Sequence, residues 1–208
     1  MDFSNRFVSE CREYSSYVQH VKAPVFRKSF VLKEGSQSGE ILICGLGFYD
    51  LFINGEKITK GYLAPYISNT DHIVYYDHYD LTPWLKAGEN VIGVMLGDGF
   101  QNSKTRVWDF MDNVFNSAPK LALSMKVESD GEKQEFDAMD FSCKKGPIFF
   151  NDLRSESFLI KEKKKKAGIS QVSRKMRTGI NPFWQIGQEE KRSCVKQSPL
   201  QWSKKENR

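Results

Sequence analysis

The sequence predicts an all-β fold, an antiparallel β-sandwich of jelly-roll type over residues 24–153. Three observations carry that expectation. Between residues 26 and 150, runs of apolar residues, many alternating with polar ones, are broken by clusters of Gly, Asn, Asp and Pro, the pattern of short half-buried strands joined by turns. No helical pattern separates these runs, which argues against a parallel sheet with helical crossovers. Asn54-Gly55 joins two of them, and both residues tolerate the positive φ of a two-residue hairpin.

The elements follow in order. Residues 1–23 have a mixed pattern and are expected to lead into the domain or cover a sheet edge. Strand character begins at Phe26 and continues through Phe30 and Leu32 among charged residues. Gly35 to Gly39 (Gly-Ser-Gln-Ser-Gly) reads as a loop. Ile41–Leu46 and Phe48–Ile53 read as strands, with the Asn54-Gly55 turn after the second. Ile73–Tyr79 alternates again, and Leu81–Leu85 suits a short helical turn with Pro83 early in it. Ala87 to Asn90 turns the chain into Val91–Leu96, apolar enough for a buried central strand. Leu121–Val127 alternates with Ser and Lys, Ser129-Asp130-Gly131 turns it, and Lys133–Met139 returns. About eight strands at this spacing fit a sandwich or barrel.

Residues 154–208 read differently, as a largely unstructured basic tail. They hold fifteen Lys and Arg against five Asp and Glu, while the whole chain carries +5. The body is therefore mildly acidic and the basic character belongs to the tail. After the run Lys161 to Lys166 neither strand nor helix periodicity returns. No apolar stretch approaches the roughly 18 residues of a membrane helix, and the first residues lack a signal-peptide pattern, so the expected location is cytoplasmic. Cys11, Cys44, Cys143 and Cys194 show no Cys-x-x-Cys spacing. Cys44 reads as a small core residue.

Candidate polar positions lie at strand ends and in loops. Asn69 and Asp71 follow Pro65; Asp98 and Asn102 flank Gly99; Trp108 lies on the same long loop; Asn151 and Asp152 end the last apolar strand. Sugars need side chains that donate and accept hydrogen bonds beside an aromatic face, and hard cations need carboxylate and carbonyl oxygens. The plainer reading is that Asn and Asp here build turns and that Trp108 is buried in a core or interface. No catalytic set emerges. Inverting glycosidases place two carboxylates about 6.5–9.5 Å apart, and pairs such as Asp109 with Asp112 do not stand out from a solvated loop. His20, His72 and His78 lack metal-ligand spacing, although His72 and His78 share one face of a strand reading.

Six short motifs occur together: Asn54-Gly55, Leu63-Ala64-Pro65, Tyr79-Asp80-Leu81-Thr82, Gly88-Glu89-Asn90, Gly97-Asp98-Gly99-Phe100 and Gly146-Pro147-Ile148. Each alone is weak, but in this order they resemble the N-terminal β-sandwich module of bacterial α-L-rhamnosidases. The resemblance covers residues 24–153. It implies a jelly-roll-like sandwich beside a catalytic (α/α) barrel, and a parent enzyme that inverts as it hydrolyses terminal α-L-rhamnose from glycosides or polysaccharides. Some related modules bind rhamnose with calcium, so a rhamnose-containing glycan, calcium and the parent's catalytic domain are the implied partners. The fragment itself is expected to be a non-catalytic accessory module. The alternative is a sandwich interaction module whose basic tail binds an anionic partner; nucleic acid and membrane are not the expected partners.

The resemblance also bears on the tail. The family continues with text like Gly-Trp-Asp-x-Pro-Gly-Phe-Asp-Asp, then a Trp, then Asp-Arg-Pro-x-Gly-Glu. Let each tail codon be replaced by the last base of its predecessor and its own first two bases. With suitable synonymous codons, Lys166 through Met176 then encodes Gly-Trp-Asp-Gln-Pro-Gly-Phe-Glu-Glu-Asp. Thr178-Gly179 gives Trp, and Gln185 through Lys191 gives Asp-Arg-Pro-Arg-Gly-Glu. The tail therefore reads as out of frame, with the lysine tract as the place where a base was lost or gained.

Overall fold

Thirteen strands and two short 3-10 turns are described in the computed structural model. It covers residues 2–4, 6–16, 18–59, 61–66, 68, 73–99 and 117–152, and the backbones of 158–159 and 195–196. In chain order the strands are β1 (Val8–Ser9), β2 (Pro24–Leu32), β3 (Gln37–Leu46), β4 (Tyr49–Ile53), β5 (Glu56–Lys57) and β6 (Asp77–Asp80). They continue with β7 (Gly88–Leu96), β8 (Lys120–Ser129), β9 (Glu132–Asp137), β10 (Ser142–Lys145), β11 (Ile148–Phe150), β12 (Phe158–Leu159) and β13 (Val195–Lys196). One sheet runs β13-β1-β8-β3-β6, with β9 also paired to β8; the second runs β10-β2-β7-β4-β5; β11 and β12 form a small third sheet. Every pairing is antiparallel.

The two large sheets face one another across a single apolar layer. Alternation decides which residues fill it: β2 sends Phe26, Phe30 and Leu32 inward, β4 sends Tyr49, Leu51 and Ile53, and β7 sends Ile92, Val94 and Leu96. The opposite sheet answers with Ile41 and Ile43 from β3 and Leu121, Leu123, Met125 and Val127 from β8. Each such side chain contributes roughly 1.5–3 kcal/mol by leaving water. The intervening residues face outward and find smaller covers. Val25, Phe52 and Met95 pack with Ala23 and Ile148. Cys44, Leu46 and Ala122 pack with Phe7, Phe3 and Val74.

The turn chemistry matches the sequence. Asn54 and Gly55 have φ of 48° and 91° and join Ile53 to Glu56, the all-positive geometry of a tight hairpin. Asp130 and Gly131 do the same between β8 and β9, at 51° and 73°. Thr82–Trp84 is the short helical turn, with proline at its start.

Several boundaries differ from expectation. The expected loop 35–39 is cut short because β3 begins at Gln37, where the ten-residue β8 offers ladder partners out to Ser129. The expected strand Ile73–Tyr79 pairs only from Asp77, because upstream of it Val74 packs on the outer apolar cluster and Tyr76 stacks on Phe3. The strand expected to reach Met139 stops at Asp137, whose side chain accepts from the Met139 N–H while Asp140 accepts from the Asp137 N–H, capping a 3-10 turn. Two strands carried no usable signal. β10 is a charged edge strand, the composition with which sheets protect an edge. β1 is two residues long and pairs with β8, so the leading segment does add to a sheet. Of the tail, only the β12 and β13 backbones fall within the described residues.

Candidate functional site

Asp98 and Asn151 come together where β7 ends. The Asp98 N–H donates to Asn151 Oδ1 at 2.6 Å, and Asp98 is 3% exposed. The chain can pass here only because of glycine. Gly97 N–H donates to the Phe48 carbonyl at 2.7 Å. A Cβ on Gly47, at φ 124°, would overlap the Gly97 carbonyl oxygen, and one on Gly99 would press on Phe48 N at 2.9 Å. Two backbone segments therefore cross at contact distance, and the Asn151 side chain clips the crossing. Asp152 follows and is partly buried. Asn69, Asp71, Asn102 and Trp108 lie outside the described residues, so the structure brings together two of the seven candidates, with a third adjacent.

A second polar constellation is the knot around Asn90, which is fully buried. Asn54 Nδ2 donates to the Trp84 carbonyl and to Asn90 Oδ1, both at 2.9 Å, while Asn54 Oδ1 accepts from the Val91 N–H. Asn90 Nδ2 donates to the carbonyls of Lys86 and Gly88, and its Oδ1 also accepts from the Lys86 N–H. Every side-chain polar group of the pair is satisfied, so this cluster has nothing left to offer a ligand. The Asn54-Gly55 and Gly88-Glu89-Asn90 motifs are two halves of one structural lock.

A third constellation was not legible as a site. Tyr49, fully buried on β4, donates its hydroxyl to Asp77 Oδ2 on the opposite sheet, and the Tyr79 hydroxyl lies 3.2 Å away. Burial, then the hydrogen bond to Asp77, pushes the Tyr49 phenol far above its ordinary range, so it stays a proton donor. Its backbone N–H donates to the Ala64 carbonyl at 2.8 Å. One residue thus ties down both the middle and the end of the connection from β5 to β6. That connection exposes Tyr62 and Tyr66, at 80% and 84%, together with Leu63, Ile73, Tyr75 and Tyr76. At its base Lys57 Nζ pairs with Asp50 Oδ1 at 2.6 Å and lies 5.5 Å from the centre of the Tyr62 ring. Only the density of Tyr in Gly61 to Tyr66 and Val74 to Tyr76 could have signalled this.

His78 and His20 have ordinary surroundings, and His72 lies outside the described residues. His78 Nε2 lies 3.1 Å from Glu40 on the surface, and His20 meets the Phe150 ring edge-on. Burial pushes the Cys44 thiol up to about 12, which keeps it protonated and inert. An open cleft of about 760 Å³ beside β8 and β9 is lined by Asp2, Glu135, Asp137 and Asp140, with Arg6 paired to Asp137. Among the described residues, no group of three or more His, Cys, Asp or Glu is arranged to hold a metal ion.

The pattern of the family described as the α-L-rhamnosidase N-terminal domain matches residues 35–177. The chain belongs to that family. An α-L-rhamnosidase of Formosa agariphila is 35% identical over 136 residues, which are 63% of this chain and 14% of that protein. One of Streptomyces avermitilis is 27% identical over 112 residues, 53% of this chain and 11% of the relative. The solved α-L-rhamnosidase of Dictyoglumus thermophilum superposes with a TM-score of 0.69 at 24% identity, over 93% of this chain and 21% of that one. That of Aspergillus terreus gives 0.61 at 26% identity, over 73% and 18%. The chain thus spans about a seventh of the length of the first of these curated relatives and about a ninth of the second.

Proposed function

We propose that this rhamnosidase N-terminal domain is a non-catalytic accessory module, and that hydrolysis of terminal α-L-rhamnose belongs to the remainder of a parent polypeptide. The observation that carries the reading is the family match together with the small share of each relative that the chain spans. The geometry supports it. The Asp98–Asn151 clip and the Asn54–Asn90 knot hold backbone to backbone, and their described hydrogen bonds lie within the fold. The purified chain should not turn over an aryl α-L-rhamnoside. Turnover that copurifies with the chain and disappears on substituting a single acid within residues 1–153 would overturn the proposal. Its partner is then either a rhamnose-containing glycan or the parent's catalytic domain.

For the tail, the reading that best accounts for its composition is translation out of frame from the lysine tract onward. The shifted reading of Lys166 to Lys191 supports it. The family match runs past the lysine tract to residue 177, which favours a native tail; on that second reading the basic tail binds an anionic partner. Nucleotide sequence decides between them. An adjacent frame that stays open and encodes a catalytic domain supports the first, and early stop codons in that frame support the second.

A further inference from the structure

The outer side of the first sheet is closed by the chain's own first residues. Cys44, Leu46 and Ala122 point away from the inner layer, yet none is more than 2% exposed, because Phe7, Phe3 and Val74 lie over them. Phe3 and Phe7 precede β1, whereas Val74 belongs to the connection that leads into β6, so the cover has two halves from distant parts of the chain. One contact joins the halves: Phe3 stacks on Tyr76, with ring centroids 4.8 Å apart and planes 11° from parallel.

The arm is fastened unlike the rest of the sheet. β3 and β8 share ten ladder positions, and β1 meets β8 at Val8 and Leu121. Val8 also sends its side chain into the inner layer, which makes it a fixed pivot. Ahead of that pivot, the described residues 2–4, 6 and 7 have no ladder position. The Ser4 N–H donates to Ser124 Oγ on the outer face of β8 at 2.7 Å, and Arg6, 66% exposed, pairs with Asp137. An exposed ion pair adds little, and Tyr76, the partner of Phe3, is itself 52% exposed. Segments held by few buried contacts and few backbone bonds open at lower free energy than the core beneath them.

We propose that the arm ahead of Val8 is a releasable strap, which opens together with residues 73–76 while both sheets stay folded. Closed, it keeps the strip Cys44, Leu46 and Ala122 from becoming an exposed apolar patch. Open, it uncovers that strip and frees the end of the β5–β6 connection from its outer stay, leaving the Tyr49 hydroxyl on Asp77 as the inner one. Cys44 is the natural reporter, since its thiol lies under the strap, whereas Cys143 belongs to the inner layer.

The test is timed alkylation of the full 208-residue chain with iodoacetamide, read cysteine by cysteine by peptide mass spectrometry, across urea concentrations below the unfolding transition. Cys44 should label with a much weaker urea dependence than global unfolding, and Cys143 should lag behind it. Arg6→Ala should speed Cys44 about threefold and Phe3→Ala about tenfold, with the unfolding midpoint nearly unchanged. Tyr76→Ala should match Phe3→Ala, and the double variant should be no faster than either, because one stack links the two halves. Val31→Ala, on an exposed position of the other sheet, should change nothing. Labelling of Cys44 that tracks global unfolding overturns the strap, as does a Cys44 rate indifferent to Arg6→Ala and Phe3→Ala. Additive effects of Phe3→Ala and Tyr76→Ala overturn the joint opening, since the arm and the connection would then move separately.

Discussion

The Asn54–Asn90 knot and the Tyr49–Asp77 anchor are both polar clusters that tie distant residues together, yet they leave their surroundings in opposite states. The knot closes a corner: each side-chain donor and acceptor of its two asparagines is used, and Asn90 is fully buried. The anchor also ends in a buried tyrosine, but the chain it fixes shows aromatic rings to water. A polar cluster that satisfies itself builds structure. One that fixes an otherwise unfavourable surface prepares an interaction. The motifs most visible in the sequence belong to the first kind.

The comparison is most sharply tested at the glycine crossing beside the Asp98–Asn151 clip. A Cβ at Gly47 would meet the Gly97 carbonyl in a backbone conformation that L-residues avoid. Gly47→Ala should therefore cost about 4 kcal/mol, the sum of overpacking and φ strain, read as a fall in the urea midpoint at constant slope. A cost below about 1 kcal/mol would mean that the two segments part easily and that the crossing is no structural lock.

Asn90→Ala should follow, at about 3 kcal/mol, because it leaves the carbonyls of Lys86 and Gly88, the Lys86 N–H and the Asn54 amide without their partner. Asn54→Ala attacks the same network, so the double variant should cost clearly less than the sum of the two. Additive losses would show that the two asparagines act separately.

Tyr49→Phe should cost less, about 1–2 kcal/mol. It deletes only the hydroxyl that Asp77 accepts and keeps the ring in the core. Its signature should be local: faster amide exchange or proteolysis in the 58–77 connection, with the knot's amides as protected as before. Loss of protection at both places together would merge the two constellations into one cooperative unit.

How much of this was legible follows from the kind of signal each region carries. The inner layer was readable because Leu121, Leu123, Met125 and Val127 alternate with smaller or polar residues, and a one-residue slip would have put them in water. The hairpins were readable because Asn54-Gly55 and Asp130-Gly131 meet a backbone demand that few residue pairs satisfy. β10 was not, since Ser142 to Lys145 is stabilised by ladder bonds to β2 rather than by its own apolar pattern. At the candidate site the sequence named Asp98 and Asn151 but not their mutual contact, which joins residues 53 positions apart in the chain. It passed over Tyr49 and Asp77 because each sits in a run that reads as an ordinary strand, and over Tyr62 and Tyr66 because only burial shows that they face water.

The smallest expected effect lies where the open segment joins the closed corner. Asp80 ends β6, and its carboxylate accepts from the Thr82 N–H at 2.9 Å, while the Thr82 hydroxyl accepts from the Gly39 N–H at 3.2 Å. The Thr82 side chain, then its backbone N–H, holds the Asp80 carboxyl below the usual carboxylate range. A group whose pKa is depressed on folding adds stability above its unfolded value and loses that stability as pH falls through the folded one. Asp80→Asn should therefore be slightly less stable than wild type near pH 7, and the gap should narrow once pH drops below the ordinary carboxylate range. Because Asp80 is exposed, the gap should also shrink in high salt. Unfolding curves of the two proteins across that pH range give the answer. A gap that stays constant with pH would assign the effect to hydrogen-bond geometry alone, and Asp80 would then belong with the neutral, closed corner of the fold rather than with the charged rim of the open segment.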